Sequence, residues 1–149
     1  MLNVTKRINI VSIKLVKESS FLYQTLTISS PKDAYEMIKD QLQDLDREQF
    51  IIACLNTKNE PTNISVVSVG SLNKAIVHPR EVFKTAILSN AASVMAFHNH
   101  PSGETTPSQQ DIQLTNRLYE VGELLGIKLL DHLIIGDGSF TSLKEKGYL

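Results

Sequence analysis

The sequence lacks the features that mark several large classes of protein. Its single cysteine, Cys54, cannot form an internal disulfide, and its place in the apolar run Phe50–Leu55 predicts a small, inert core residue. The formal net charge is −1, which predicts no large basic surface for DNA or anionic membrane. No apolar stretch approaches the ~20 residues of a membrane helix, and Asn9, Ser12 and Lys14 interrupt any signal-peptide core. We therefore expect a cytoplasmic location.

The composition that is present fits one folded domain. The chain has 149 residues, of which 42% are hydrophobic and 21% are charged, and these proportions are ordinary for a globular protein with a real core. No repeat, low-complexity tract or linker divides it. Because apolar side chains alternate over residues 7–16, we predict an N-terminal strand extension within residues 1–30 and a single domain over residues 31–149.

Helix and strand patterns alternate along that domain. Ser30, Pro31 and Asp33 form a helix start, with Ser30 as the N-cap and Asp33 as its capping-box partner. The predicted helices cover residues 31–45, 79–88 and 108–125, and the predicted strands cover residues 50–56, 64–69, 91–97, 127–130 and 133–135. Turns at residues 57–61, 70–73 and 136–139 separate them, and the first turn makes a hairpin of its neighbouring strands. Interleaved strands and helices predict an α/β or α+β fold.

Four residues with chemical potential lie close together after the apolar run 91–97. His98 and His100 are two positions apart, so their imidazoles leave the same face if the run is a strand. Ser108 then opens the next helix, and Asp111 lies one turn inside it. Two imidazoles and one carboxylate, with room for an exchangeable fourth ligand, are typical of catalytic zinc.

Each part of this motif also has an ordinary structural explanation. Ser108 and Asp111 alone would form a helix capping box, and a histidine beside a strand is usually a hydrogen-bonded polar residue near the surface. The combination carries more weight than the parts, because the helix that contains Asp111 would begin beside the histidine strand. All three ligand groups could then converge on one ion.

The motif resembles the signature of the JAMM metalloproteases, also called the MPN or JAB domain. That signature is His-x-His, seven residues, Ser, two residues and Asp, and His98, His100, Ser108 and Asp111 match it at full spacing. Further blocks are similar to the RadC branch of bacterial JAB-domain proteins, from about residue 30 to the C-terminus. These blocks are Leu55–Asn59, Val69–Asn73, His78–Phe83, His98–Gly103 and Leu130–His132.

The resemblance implies a fold, a cofactor and a reaction. The fold would be a mixed central sheet flanked by helices, the MPN/JAMM architecture, which is similar to that of cytidine deaminases. The cofactor would be Zn²⁺, held by His98, His100 and Asp111. The reaction would be hydrolysis of a peptide or isopeptide bond by a zinc-activated water, with Ser108 donating a hydrogen bond to the oxyanion.

The family also uses a glutamate upstream of the histidines, which accepts a proton from the water and passes it to the leaving amine. We assign this role to Glu48, just before the first strand of the hairpin. Glu81, near a helix start where carboxylates are also favoured for structural reasons, is the alternative. Longer RadC proteins carry an N-terminal helix-hairpin-helix region thought to touch DNA, whereas this chain resembles the catalytic module alone.

A zinc deaminase and a non-catalytic binding module are the two alternatives to the zinc hydrolase. Zinc deaminases need His-x-Glu and a Pro-Cys-x-x-Cys pair, but position 100 is histidine and Cys54 has no second cysteine. A non-catalytic MPN binding module, associated with DNA repair or mobile-element processing, is the stronger alternative. The complete ligand set argues against lost activity, and the net charge of −1 argues against strong sequence-independent DNA binding.

The remaining candidate residues are expected to serve structure. Asn99, between the two histidines, should point to the opposite face of its strand, while Ser102 and Gly103 shape the rim of the following loop. We interpret His132 as a hydrogen-bonding histidine of the core or surface, and His78 as a loop residue. The expected partner is a peptide or protein substrate, with no membrane, and an open edge strand would let two copies of the chain pair.

Overall fold

The computed structural model describes residues 3–24, 27–70 and 77–149. Helices and strands alternate along these residues, as the patterns predict. The helices are α1 (Pro31–Leu42), α2 (Pro79–Leu88) and α3 (Gln109–Leu125), and the strands are β1 (Gln49–Leu55), β2 (Pro61–Val69), β3 (Ser93–Asn99), β4 (Lys128–Ile135) and β5 (Phe140–Ser142).

The strands form one mixed sheet in the order β2-β1-β3-β4-β5. β1 pairs antiparallel with β2 and β3, β3 pairs parallel with β4, and β4 pairs antiparallel with β5. The parallel pair needs a crossover, and α3 supplies it between β3 and β4. The prediction of a mixed central sheet flanked by helices is confirmed.

Successive side chains of β1 and β3 alternate between two cores, one on each face of the sheet. Ile51, Ala53, Met95 and Phe97 pack in the cluster that includes the buried side chains of α1. The residues between them pack in the second cluster, with Val82 and Phe83 of α2 and Leu118 of α3; these residues are Phe50, Ile52, Cys54, Val94 and Ala96. The same alternation directs His98 toward α3 and Asn99 toward α1.

The predicted start of α1 is correct, but its end and one of its capping bonds differ. The Ser30 hydroxyl accepts a hydrogen bond from the Asp33 amide at 3.3 Å. The Asp33 carboxylate reaches back to Ser29 instead of Ser30, accepting from its amide at 3.0 Å and its hydroxyl at 2.8 Å. The helix ends at Leu42 and not at residue 45, because the backbone of Gln43 is extended at ψ 144°.

Three predictions about strands were wrong or incomplete. Residues 7–16 form no strand: none of them is paired in the sheet, and Ile8 and Ile10 are fully exposed, at 91% and 101%. The two late strands are one strand, β4, which continues through Asp131 and His132 because it pairs with β3 along its whole length. The polar tail contributes β5, which is too short to show a pattern. The predicted turn at residues 70–73 lies largely outside the described residues.

Candidate metal centre

The end of β3 supplies the two histidines. His98 is the last but one residue of β3 and is completely buried. His100 follows the strand and stays aligned with it, because its amide donates to the Ile135 carbonyl of β4 at 2.9 Å. The chain then turns at Gly103, whose φ of +87° is a left-handed conformation that favours glycine. The Gly103 amide donates to the His100 carbonyl at 2.9 Å, which closes the loop beneath the imidazole.

The start of α3 supplies the carboxylate. The Ser108 hydroxyl accepts from the Asp111 amide at 3.1 Å, and Asp111 Oδ2 accepts from the Ser108 amide at 2.9 Å, so the predicted capping box is complete. This box fixes the direction of the Asp111 side chain. It uses the Ser108 oxygen only as an acceptor, so the hydroxyl proton of Ser108 is not needed by the cap.

These elements bring three ligand atoms together. His98 Nε2 lies 3.2 Å from Asp111 Oδ1, and His100 Nε2 lies 3.2 Å from Asp111 Oδ2. The two Nε2 atoms are 3.0 Å apart. One donor atom from each residue lies within 4.8 Å of the others, a spacing at which all three could hold a single ion. Two imidazole nitrogens and one carboxylate oxygen suit zinc, so the residues fit the metal that the sequence predicts.

The charges in this cluster support one another. Burial works to raise the pKa of Asp111, but its close contacts with His100 and His98 outweigh that effect and hold the pKa below its ordinary value. The hydrogen bond to Asp111 raises the pKa of His100, against the effect of burial, and the Glu104 carbonyl and the charge of Glu48 raise it further. The cluster therefore favours a positive charge beside the Asp111 carboxylate, and a bound metal ion would supply that charge in place of a proton.

Glu48 lies beside this cluster, on a segment held by Asn99. The Asn99 side chain accepts from the Gln49 amide at 2.7 Å and donates to the Arg47 carbonyl at 3.0 Å, so it fixes the backbone on both sides of Glu48. Asn99 thus points away from the histidines and serves structure, as predicted. Glu48 directly precedes β1, whose Phe50 pairs with His98 of β3, so it stands opposite the end of β3 from which the two histidines come.

Glu81 occupies a different setting. It lies in the first turn of α2, and its carboxylate accepts from Lys84 Nζ at 3.0 Å. That hydrogen bond lowers the pKa of Glu81, as does the charge of Lys84. This is the ordinary structural role of a carboxylate at a helix start, so the positions of the two glutamates favour Glu48 as the residue near the ligands.

His132 is a fully buried hydrogen-bonding residue of the core, in line with the structural interpretation of the sequence. Its Nε2 lies 2.7 Å from His98 Nδ1, and its Nδ1 lies 2.6 Å from the hydroxyl of Thr115. Burial lowers the pKa of His132 well below its ordinary value, so the imidazole is neutral. Thr115 was not predicted from the sequence. Its position four residues after Asp111, on the same helix face, was the signal that could have found it.

The other residues discussed from the sequence have simpler settings. Ser102 and Gly103 line a cleft of about 150 Å³ that opens beside His100. His78 is the N-cap residue of α2 and makes no side-chain capping bond. Cys54 is buried, and burial raises the pKa of its thiol, as expected for an inert core residue.

The fold and the His-His-Asp cluster together define a mixed α/β domain with a candidate metal centre of the JAB kind. A family model described as RadC-like JAB domain matches residues 28–148, and the chain belongs to that family. The resemblance found in the sequence is therefore confirmed. Membership supports a metal-dependent hydrolase as the kind of protein.

Curated relatives are similar over most of this chain. A UPF0758 protein of Moorella thermoacetica is 53% identical over 131 residues, which are 88% of this chain and 57% of the relative. The UPF0758 protein YsxA of Bacillus subtilis is 52% identical over 136 residues, covering 91% of this chain and 57% of the relative. A UPF0758 protein of Methanosarcina mazei is 52% identical over 122 residues, covering 82% and 53%. The chain spans a little over half the length of these relatives.

One further observation concerns membranes. Within the described ranges 3–24, 27–70 and 77–149, no helix is both long and apolar enough to cross a bilayer.

Proposed function

We propose that this chain is a zinc-dependent hydrolase of peptide or isopeptide bonds. The observation that supports it is the convergence of His98, His100 and Asp111, whose donor atoms lie within 4.8 Å of one another at the end of a buried strand. Burying two imidazoles and a carboxylate costs free energy, and a purely structural role would not require these three groups to face each other. In our proposal these three residues hold the ion.

The chain's own residues would do the rest of the chemistry. Bound zinc lowers the pKa of a water molecule and polarises the carbonyl of the substrate. Glu48 accepts the proton that the attacking water loses and passes it to the leaving amine. Ser108 donates its free hydroxyl proton to the carbonyl oxygen as negative charge develops there. The His100 side chain is 15% exposed, whereas His98 and Asp111 are almost completely buried, so a substrate would reach the site from the side of His100.

The proposal is tested first by metal content. Protein purified without an affinity tag should contain about one zinc per chain, measured by atomic emission. His98→Ala and Asp111→Ala should lose the metal, because each variant removes one of three protein ligands. Lys84→Ala is the matched control, because it also truncates a side chain to alanine but does so on the exposed face of α2. This variant should keep its zinc.

Activity tests the assignment of Glu48. We expect Glu48→Gln to bind zinc like the wild type but to lose about 10²- to 10⁴-fold in turnover of a peptide library, because only the general base is removed. Glu81→Gln should retain activity. If Glu48→Gln were fully active and Glu81→Gln inactive, the assignment of the base would be wrong.

The non-catalytic module is the competing outcome. A chain that contains no zinc, cleaves no member of the library with or without added zinc, and binds duplex DNA at ordinary salt would favour it.

A further inference from the structure

A chain of hydrogen bonds runs behind His98, on the side away from the proposed metal. The Thr115 hydroxyl lies 2.7 Å from the Asp111 carbonyl and 2.6 Å from His132 Nδ1. His132 Nε2 then lies 2.7 Å from His98 Nδ1. All four residues are almost completely buried, at 3% exposure or less, and the Phe50 ring packs edge-on to His132 with the ring centroids 5.4 Å apart. Each short contact must therefore be satisfied within the protein.

The position of one proton determines the whole chain. A carbonyl oxygen can only accept, so at 2.7 Å the Thr115 hydroxyl must donate its single proton to the Asp111 carbonyl. The Thr115 oxygen then has only lone pairs left for His132. His132 must therefore carry its proton on Nδ1 and donate it to Thr115. Among the described residues, the ring nitrogens of the fully buried His132 contact Thr115 and His98 but no carboxylate that could balance a second ring proton. The ring therefore carries one proton only, and its Nε2 has a lone pair and accepts.

The same reasoning continues to His98. Since His132 Nε2 accepts, His98 must carry a proton on Nδ1 and donate it across the 2.7 Å contact. If His132 Nε2 donated to His98 Nδ1 instead, the neutral His132 would have to accept the Thr115 proton at its Nδ1. The Thr115 oxygen and the Asp111 carbonyl oxygen would then face each other at 2.7 Å without a proton between them.

We propose that Thr115 and His132 are positioning residues that hold His98 in its Nδ1-protonated tautomer and so present an unprotonated Nε2 to the metal. His100 reaches the same state by a simpler route, since its Nδ1 lies 2.7 Å from the Glu104 carbonyl and must donate to it. The tautomer of His98 stands on the contacts alone, whereas its consequence for metal binding rests on the proposed function.

The tautomer can be read directly from zinc-free wild-type protein. Long-range ¹H–¹⁵N correlation spectra of the histidine rings, recorded at mildly alkaline pH with a chelator present, distinguish protonated from unprotonated ring nitrogens. We expect His98 and His132 both to be protonated at Nδ1 and unprotonated at Nε2. A proton on Nε2 of either ring would overturn the proposal, and no variant has to fold for this result.

A matched pair of variants tests the role of the hydroxyl. Thr115→Val keeps the shape of the side chain but removes its oxygen, so His132 no longer has an acceptor for its Nδ1 proton. We expect His132 to move that proton to Nε2, His98 to lose its single tautomer in the spectrum, and the dissociation constant for Zn²⁺ to rise about 10- to 100-fold in competition with a chromophoric chelator. Thr115→Ser restores the hydroxyl and should restore both the spectrum and zinc affinity.

The outcomes separate this proposal from the proposed function. If the wild type shows the expected tautomers but binds no zinc, the function fails and the assignment of the hydrogen bonds stands. If the wild type binds zinc while Thr115→Val, folded by circular dichroism, keeps the same tautomers and the same zinc affinity, the positioning role of Thr115 is refuted and the zinc site stands.

Discussion

At the scale of the residue, Asp111 shows how one side chain serves both structure and chemistry. Its Oδ2 accepts from the Ser108 amide and faces His100, while its Oδ1 faces His98. The capping box therefore holds the carboxylate in the direction that the ligand set needs. The ordinary explanation of the Ser108–Asp111 pair as a helix cap is correct, and it is also the reason that the carboxylate points toward the histidines.

Ser108 gives a prediction in which the two roles can be separated. Glycine is nearly as good an N-cap as serine, so Ser108→Gly should lower the free energy of unfolding by only a few tenths of a kcal/mol. It removes the proposed oxyanion donor, so its turnover should fall about 10²- to 10³-fold. Urea unfolding and peptide hydrolysis measure the two effects.

Two companion substitutions complete this test. Ser108→Ala removes both functions and should add a loss of about 1 kcal/mol in stability, while Ser108→Thr keeps both. A Ser108→Gly variant with wild-type turnover would show that the hydroxyl does not act on the substrate.

The sequence predicts individual ligands better than the residues that support them. As candidate ligands, His98 and His100 stand out by their spacing along a strand, and Asp111 by its place one turn inside the helix that Ser108 opens, because both are local patterns. Thr115 meets His132, 17 residues further along the chain, only because α3 packs against β4. A pattern along one element does not contain that information, which depends on the sheet order and the packing of the crossover helix.

At the scale of the element, the same distinction separates correct from incorrect strand predictions. β1 and β3 are central strands with long apolar runs, and both were predicted, β1 within one residue of its bounds and β3 two residues too early at each end. β5 has only three residues and pairs with Leu133–Ile135, so its existence depends on its neighbour. Residues 7–16 show the reverse case, in which an alternating pattern without a pairing partner forms no strand.

The packing of α3 against β4 depends on Gly122, a buried glycine in the interior of α3. A Cβ atom there would lie 2.5 Å from the Ile127 carbonyl oxygen and 3.4 Å from Leu129 N and Phe83 Cζ. The Ile127 amide bonds to the Gly122 carbonyl at 2.9 Å, so the chain turns back tightly over this residue after the left-handed Gly126. A backbone oxygen at that distance cannot move aside as a flexible side chain would.

Gly122→Ala should therefore destabilise the protein although alanine is the better helix former. The gain in helix propensity is about 0.5–1 kcal/mol, whereas the overpacking of a tight backbone contact costs about 1–3 kcal/mol. We expect a net loss in urea unfolding. Glu120→Ala, on the exposed side of the same helix, should change stability by less than about 0.5 kcal/mol. A neutral or stabilised Gly122→Ala would mean that α3 and β4 can separate without cost.

At the scale of the whole molecule, the structured unit begins between the exposed N-terminal segment and α1. Residues 3–20 are all exposed and belong to no helix or strand. Ile28, by contrast, is 6% exposed in the core beside α1, and its amide donates to the Asn59 carbonyl at 2.9 Å. The structure thus extends the packed unit a few residues upstream of the predicted boundary at residue 31, and the family match begins at residue 28.

Two deletions test where the folded domain begins. A variant that starts at residue 21 loses residues 3–20, whose side chains are all exposed, so its free energy of unfolding in urea should stay within about 0.5 kcal/mol of the full chain. A variant that starts at residue 31 also loses Ile28, the Ser30 cap and the partly buried Tyr23, so it should be less stable by at least about 2 kcal/mol. Ile28→Ala in the full chain should account for most of that difference.

If the shorter deletion already cost as much stability as the longer one, the apolar side chains of residues 3–20 would have to be packed in solution, and the segment would be part of the domain. If instead the variant starting at residue 31 were as stable as the full chain, the boundary predicted from the sequence would be correct and the contacts of Ile28 would contribute nothing to the fold.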